Sequence, residues 1–199
     1  MRIVFFGNGN FAVNPLKSLI NSKYSVSAIV TNKPNLIKRR GGFKQTTPVY
    51  QYSKENNLQI LSFNDVNGEE ALIALSKINA DLFVVVEFKK LHKTIFNIPK
   101  YGTINIHASI LPTYRGAAPI QRSIINGENK IGLTSFFIND IIDTGDIVHQ
   151  KTINIDDKIT YGDCYNNLSF LSKKFILESI KKIINNDRLQ KQTNLNTSY

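Results

Sequence analysis

The chain has 199 residues, 42% of them hydrophobic and 20% charged. That length suits one domain with room for a sizeable core, and the composition excludes an intrinsically disordered chain. A formal net charge of +10 points to a polyanionic partner, either nucleic acid or an anionic membrane surface. AT-rich coding, which favours Asn, Ile and Lys, explains the lysines equally well and the clustered arginines less well. Cys164 is the sole cysteine, so no intrachain disulfide is available and nothing argues for export. No apolar run reaches the length of a signal peptide or a membrane span, and the expectation is a soluble cytoplasmic protein with no membrane partner, acting as a monomer.

The pattern opens with a short apolar run over residues 3–6, closed by Gly7, which reads as a fully buried strand. Helical spacing follows over 11–20 and a second strand over 26–30. Residues 31–48 are polar and basic and read as a loop. A helix over 49–56, a short strand over 59–61 and a helix over 69–78 come next. "DLFVVV" (81–86) is the clearest buried strand, and 102–107 is another. Residues 118–125 read as a helix stopping at Gly127. "GLTSFFI" and "DIVHQKTINI" read as alternating strands, an antiparallel extension of the sheet. A long amphipathic helix spans 161–184. Residues 185–199 are polar and unpatterned, a tail or linker after a domain at 1–184. The strand–helix alternation predicts an α/β fold with a doubly wound, mostly parallel sheet. In such sheets ligands bind beyond the carboxyl ends of the strands, so functional side chains belong just after Phe6, Val30, Val86 and Ile106.

"GNGNFA" (7–12) matches the dinucleotide fingerprint G-x-G-x-x-G/A after a first strand. That fingerprint also wants an acid at the end of the second strand to hold ribose hydroxyls, and here Val30 is followed by Thr31, Asn32 and Lys33. A nicotinamide enzyme is disfavoured on that ground. The two glycines then serve a tight strand-to-helix turn.

Asn105 and His107 lie two apart in a strand, so strand period puts both side chains on one face at the ligand-binding end. "DTGD" (143–146) offers carboxylates in a glycine turn. A carboxylate folded over the sheet end pairs with His107 and sets its tautomer. Amide, imidazole and carboxylate together suit acyl transfer to an amine: donors for an oxyanion and an acceptor for the amine proton, with no Ser or Cys nucleophile. His92, His107 and His149 show no metal-ligand spacing, and no metal is expected.

"NIHASILPTYRGAAPIQRSIINGE", followed by "IGLTSFFINDIIDTGDIV", closely resembles the methionyl-tRNA formyltransferase family, with the match running from "RIVFFGNGNFAV" to about residue 184. The resemblance implies a Rossmann-like formyltransferase fold and formyl transfer from 10-formyltetrahydrofolate to the amino group of initiator methionyl-tRNA in translation initiation. It implies Asn105, His107 and Asp143 as the catalytic trio, and folate contacts at Ser109, Ile110, Leu111 and Pro112. "NLIKRRGGFK" resembles the family's insertion loop, which carries an arginine toward the acceptor stem. Lys38, Arg39, Arg40 and Lys44 are the implied tRNA-binding residues, with either Arg39 or Arg40 matching the functional arginine. The runner-up substrate is a small amine such as an aminosugar nucleotide; a third reading is a binding module that has lost activity. Arg115 is left open between substrate contact and loop support. Three features depart from the family's pattern. Gly7, Asn8 and Gly9 stand where it reads Gly-Thr-Pro. Glu87 stands where it has a small residue before the aromatic. The family's C-terminal domain is absent, which predicts weaker tRNA binding.

Overall fold

A computed structural model describes residues 1–36 and 44–192. In chain order the elements are β1 (Arg2–Gly7), α1 (Asn10–Ile20), β2 (Ser25–Val30), β3 (Asn35–Leu36), β4 (Lys44–Gln45), α2 (Pro48–Glu55), β5 (Ile60–Leu61) and α3 (Glu69–Lys77). There follow β6 (Leu82–Val86), α4 (Lys93–Phe96), β7 (Thr103–His107), α5 (Pro119–Ile125), β8 (Lys130–Phe137), β9 (Ile147–Asn154) and α6 (Tyr161–Ile184). Seven strands form one sheet in the order β5-β2-β1-β6-β7-β8-β9. The five from β5 to β7 are parallel, while β8 and β9 run antiparallel at the far edge.

The central strands are continuously apolar because both sheet faces are covered. On one face Phe11, Leu16, Val49, Ile120, Leu168, Phe175 and Ile176 bring α1, α2, α5 and α6 against Ile3, Phe5, Val84 and Ile104. On the other, Ala71, Leu75, Ile95 and Phe96 bring α3 and α4 against Val4, Phe6, Phe83 and Val85. Strand order reverses between β1 and β6, so their carboxyl ends diverge and leave a crevice there. Among the described residues no helix is long and apolar enough to cross a membrane.

Three elements differ from the sequence reading. The segment read as one loop contains a two-residue antiparallel ribbon, β3 with β4, too short for any periodic signal. The four-residue α4 was hidden for the same reason. The alternation expected of β8 is absent: Ile131 to Phe136 are all buried, because β8 is an interior strand of the sheet with α6 packed across it. Its small polar members are satisfied inside the protein, Ser135 Oγ donating to Ser179 Oγ at 2.8 Å and Thr134 Oγ1 to the Ser109 carbonyl at 2.7 Å.

Candidate active site

A cleft of about 620 Å³ opens at the carboxyl ends of β6 and β7. Asn105 and His107 both line it, as their spacing in β7 requires. Asp143 lines it from the turn between β8 and β9. That turn is tight: a Cβ on Gly145 would overlap the Phe137 carbonyl, and Asp143 takes a left-handed φ of 55°. Glycine is thus required at 145 by close backbone approach, while Asp is among the residues that tolerate the left-handed region.

The imidazole of His107 is buried and fixed from behind. Its Nε2 lies 2.8 Å from the Tyr114 carbonyl. A carbonyl only accepts, so Nε2 carries the proton and the neutral ring presents the Nδ1 lone pair forward. Nδ1 faces Asp143 Oδ2 at 3.7 Å, beyond hydrogen-bond length. Asp143 Oδ2 in turn accepts from the Gly116 amide at 2.7 Å. Residues 114 and 116 therefore hold the histidine and the acid, one each. A neutral ring accepts a proton at Nδ1; an imidazolium donates from Nδ1 to an oxygen lying between it and the Asn105 amide. Such an arrangement has the groups needed to stabilise an oxyanion and accept a proton without a covalent nucleophile.

The rest of the cleft wall is largely apolar, with Phe88, Leu91, Ile138, Ile141 and Ile142 on one side and Phe11, Tyr161 and Tyr165 on another. Glu87 sits between them at a left-handed φ of 48°. Its Oε2 accepts from the Phe11 amide at 3.1 Å, in the first turn of α1. The residue is open to the cleft, yet protein crowds its carboxylate. Desolvation raises its pKa, outweighing the opposing hydrogen bonds from the Ala12 and Phe11 amides. Burial, seconded by the Glu87 charge, pushes the Tyr165 hydroxyl up to about 12.

The structure gathers the expected trio and leaves other expected residues elsewhere. Ser109, Ile110, Leu111 and Pro112 do not line this cleft. Ser109 Oγ donates to the Thr113 carbonyl at 2.7 Å, and the Leu111 amide donates to Thr134 Oγ1 at 3.1 Å. Leu111 is buried with Phe136 and Ile147. Ile110, Leu111 and Pro112 instead border a second cavity of about 430 Å³. The physical reason is that the segment's polar groups and Leu111 are engaged by Thr113, Thr134, Phe136 and Ile147, in a turn that brings the Tyr114 carbonyl to His107. Lys38, Arg39 and Arg40 lie outside the described residues, and of Lys44 only its place in β4 is described. Among the described residues no three His, Cys, Asp or Glu side chains gather into a metal-holding group.

Sequence reasoning missed the Tyr114 carbonyl, the Gly116 amide and Gln192. The first two are backbone groups with no residue-type signature. Gln192 meets the site only through tertiary contacts, donating to the Asp143 and Gly145 carbonyls.

A family model described as formyl transferase matches residues 1–180. The chain belongs to the formyl transferase family. Among curated relatives of this chain, the methionyl-tRNA formyltransferase of Bacteroides thetaiotaomicron is 39% identical over 185 residues, 93% of this chain and 57% of the relative. That of Acetivibrio thermocellus is 38% identical over 184 residues, 92% of this chain and 59% of the relative. The chain thus spans under three fifths of the length of these relatives. Among solved structures, the sugar 3N-formyl transferase WlaRD, crystallised with dTDP and 5-N-formyl-THF, superposes with a TM-score of 0.73 at 28% identity, covering 100% of this chain and 69% of that one. The phosphoribosylglycinamide formyltransferase of Bacillus halodurans superposes with a TM-score of 0.77 at 18% identity, covering 94% and 97%, and shows the shared fold.

Proposed function

We propose that the chain transfers a formyl group from 10-formyltetrahydrofolate to the amino group of initiator methionyl-tRNA, as in translation initiation. The observation that carries this reading is the single cleft in which Asn105, His107 and Asp143 converge, with His107 Nδ1 turned toward Asp143. The choice of acceptor rests on the resemblance to methionyl-tRNA formyltransferases across 93% of the chain.

The co-substrate supplies the formyl carbon. The cleft suits it: about 620 Å³ is within the range that holds cofactor-sized ligands, and Phe88, Leu91, Ile138 and Ile141 offer an apolar wall for a flat ring. Ser109–Pro112, the folate contacts that the resemblance implies, lead into the turn whose Tyr114 carbonyl holds His107. Asn105 and the imidazolium of His107 donate to the formyl oxygen as the amine adds and negative charge develops there. Asp143 balances the imidazolium and accepts the proton that the attacking nitrogen loses. The reaction exchanges one C–N bond for another, and the proton taken from the amine leaves on the departing nitrogen.

The test is formyl transfer from 10-formyltetrahydrofolate to charged initiator tRNA, with an aminosugar nucleotide as the competing acceptor. The expected outcome is formylmethionyl-tRNA as the preferred product. Asn105→Ala and His107→Ala should each lower kcat by ~100-fold or more, the scale of losing one oxyanion donor, while far-UV circular dichroism and Tm stay close to wild type. Absence of transfer to any amine by folded protein, or near-full activity in either variant, overturns the reading. Preference for the aminosugar nucleotide would reassign the acceptor alone.

A further inference from the structure

We infer that Gln192, anchored on Arg115, is a positioning residue that holds the Asp143 turn at its working distance from His107. The inference rests on the formyl-transfer reading of the cleft.

After α6 the chain doubles back along the edge of the sheet. The Ile147 amide donates to the Gln190 carbonyl at 2.8 Å and the Gln190 amide to the Ile147 carbonyl at 3.0 Å. These two bonds deliver Gln192 to the outside of the 143–146 turn. Its side-chain oxygen accepts from Arg115 Nε at 3.2 Å and from Arg115 Nη2 at 2.8 Å. Its Nε2 donates to the Asp143 carbonyl at 3.0 Å and to the Gly145 carbonyl at 2.8 Å. A glutamine amide has two donors and two acceptor positions, and all four are used.

Arg115 explains why the site needs that arrangement. It is 2% exposed, and among the described residues no carboxylate forms an ion pair with it. A buried guanidinium must be hydrogen-bonded to be tolerated, and here its side-chain hydrogen bonds go to an amide whose other hand holds the catalytic turn. Residues 114, 115 and 116 then form one bracket. The Tyr114 carbonyl fixes His107, the Gly116 amide fixes the Asp143 carboxylate, and Arg115 fixes the Asp143 backbone through Gln192. The bracket sets the distance between His107 and Asp143 from both sides.

The test is Gln192→Ala in the full chain. Expected are a fall in kcat of tenfold or more, KM for donor and acceptor within twofold of wild type, and Tm within a few degrees. Amide hydrogen exchange at Gly116, whose N–H is bonded to Asp143, should quicken at least tenfold. Gln192→Glu keeps an acceptor for Arg115 but loses both donations to the turn, and should match Gln192→Ala in kcat. Unchanged kcat in Gln192→Ala, or a fall accompanied by general loss of folding, overturns the proposal. Should the wild-type chain transfer no formyl group, the function reading fails by itself. Exchange at Gly116 still decides the bracket, and unaltered protection in Gln192→Ala overturns it.

Discussion

Gly9 and Glu87 depart from the family's pattern at positions 78 residues apart, and the structure makes them a single change. Gly9 has an ordinary extended backbone, φ −77° and ψ 175°, so no backbone strain asks for glycine. A Cβ there would overlap the Glu87 carboxylate. Glu87 in turn serves the first turn of α1, whose N-cap residue has no side chain to do so. Gly9→Ala should therefore displace Glu87 and lose that helix-end hydrogen bond, at a cost of ~1 kcal/mol in line with losing a cap. In a Glu87→Ala background the same Gly9→Ala change should be neutral or stabilising, since Ala restricts the unfolded chain. Urea unfolding of the four proteins measures the coupling; additive effects would show the two positions to be independent. This exchange was invisible in the sequence, where two departures simply stood side by side. Asn105 and His107 were legible because strand period alone puts them on one face. Asp143 was legible only through the resemblance, since nothing local in "DTGD" says which acid turns inward.

At the scale of elements, long uniform stretches were legible and short or doubly covered ones were not. The helix over 161–184 was read to its ends, and buried strands such as β6 announce themselves by apolar runs. β8 misled because distant segments cover its two faces: α6, which arrives more than twenty residues later, on one, and Leu111 on the other. The same packing creates a pH-sensitive joint between β9 and α6. His149 stacks on Phe175 at 4.8 Å, and its Nε2 lies 3.3 Å from Glu178 Oε2. Desolvation lowers the His149 pKa from 6.5, with Lys182 and Lys151 adding to it and Glu178 opposing. Between the folded value and 6.5 the unfolded chain binds more protons than the native one, so stability falls as pH drops through that window. Glu178 itself is held below 4.5, the hydrogen bond from His149 and the nearby lysines outweighing its own desolvation, and it does not titrate there. His149→Gln should flatten the decline in urea midpoint between pH 7.5 and 5.5. An equal decline in the variant would assign the pH dependence to other groups.

For the whole molecule, the proposed tRNA acceptor gives charge and topology together a docking place to test. Lys and Arg number 25 against 15 Asp and Glu, so the chain attracts polyanions generally. A parallel sheet has a functional end and a blank end, and basic residues occupy both. Lys89 and Lys90 line the cleft at the carboxyl ends of the strands. Exposed Lys23 and Lys100 precede β2 and β7 at the opposite end. Lys38, Arg39 and Arg40 lie outside the described residues; the β3–β4 ribbon follows β2 and therefore starts from the functional end. If tRNA docks there, each phosphate contact releases counterions and steepens the salt dependence by ~0.7–0.9 in log–log slope. Removing two such contacts with Arg39→Ala and Arg40→Ala together should flatten the slope of log(kcat/KM) against log[salt] by roughly 1.5. Lys23→Ala with Lys100→Ala removes as much positive charge from the blank end and should leave the slope as it was. Equal flattening in both double variants would mean that net charge alone draws the tRNA in. A flattening confined to the first would place the acceptor stem over the cleft, close enough for its amino group to meet the formyl carbon between Asn105 and His107.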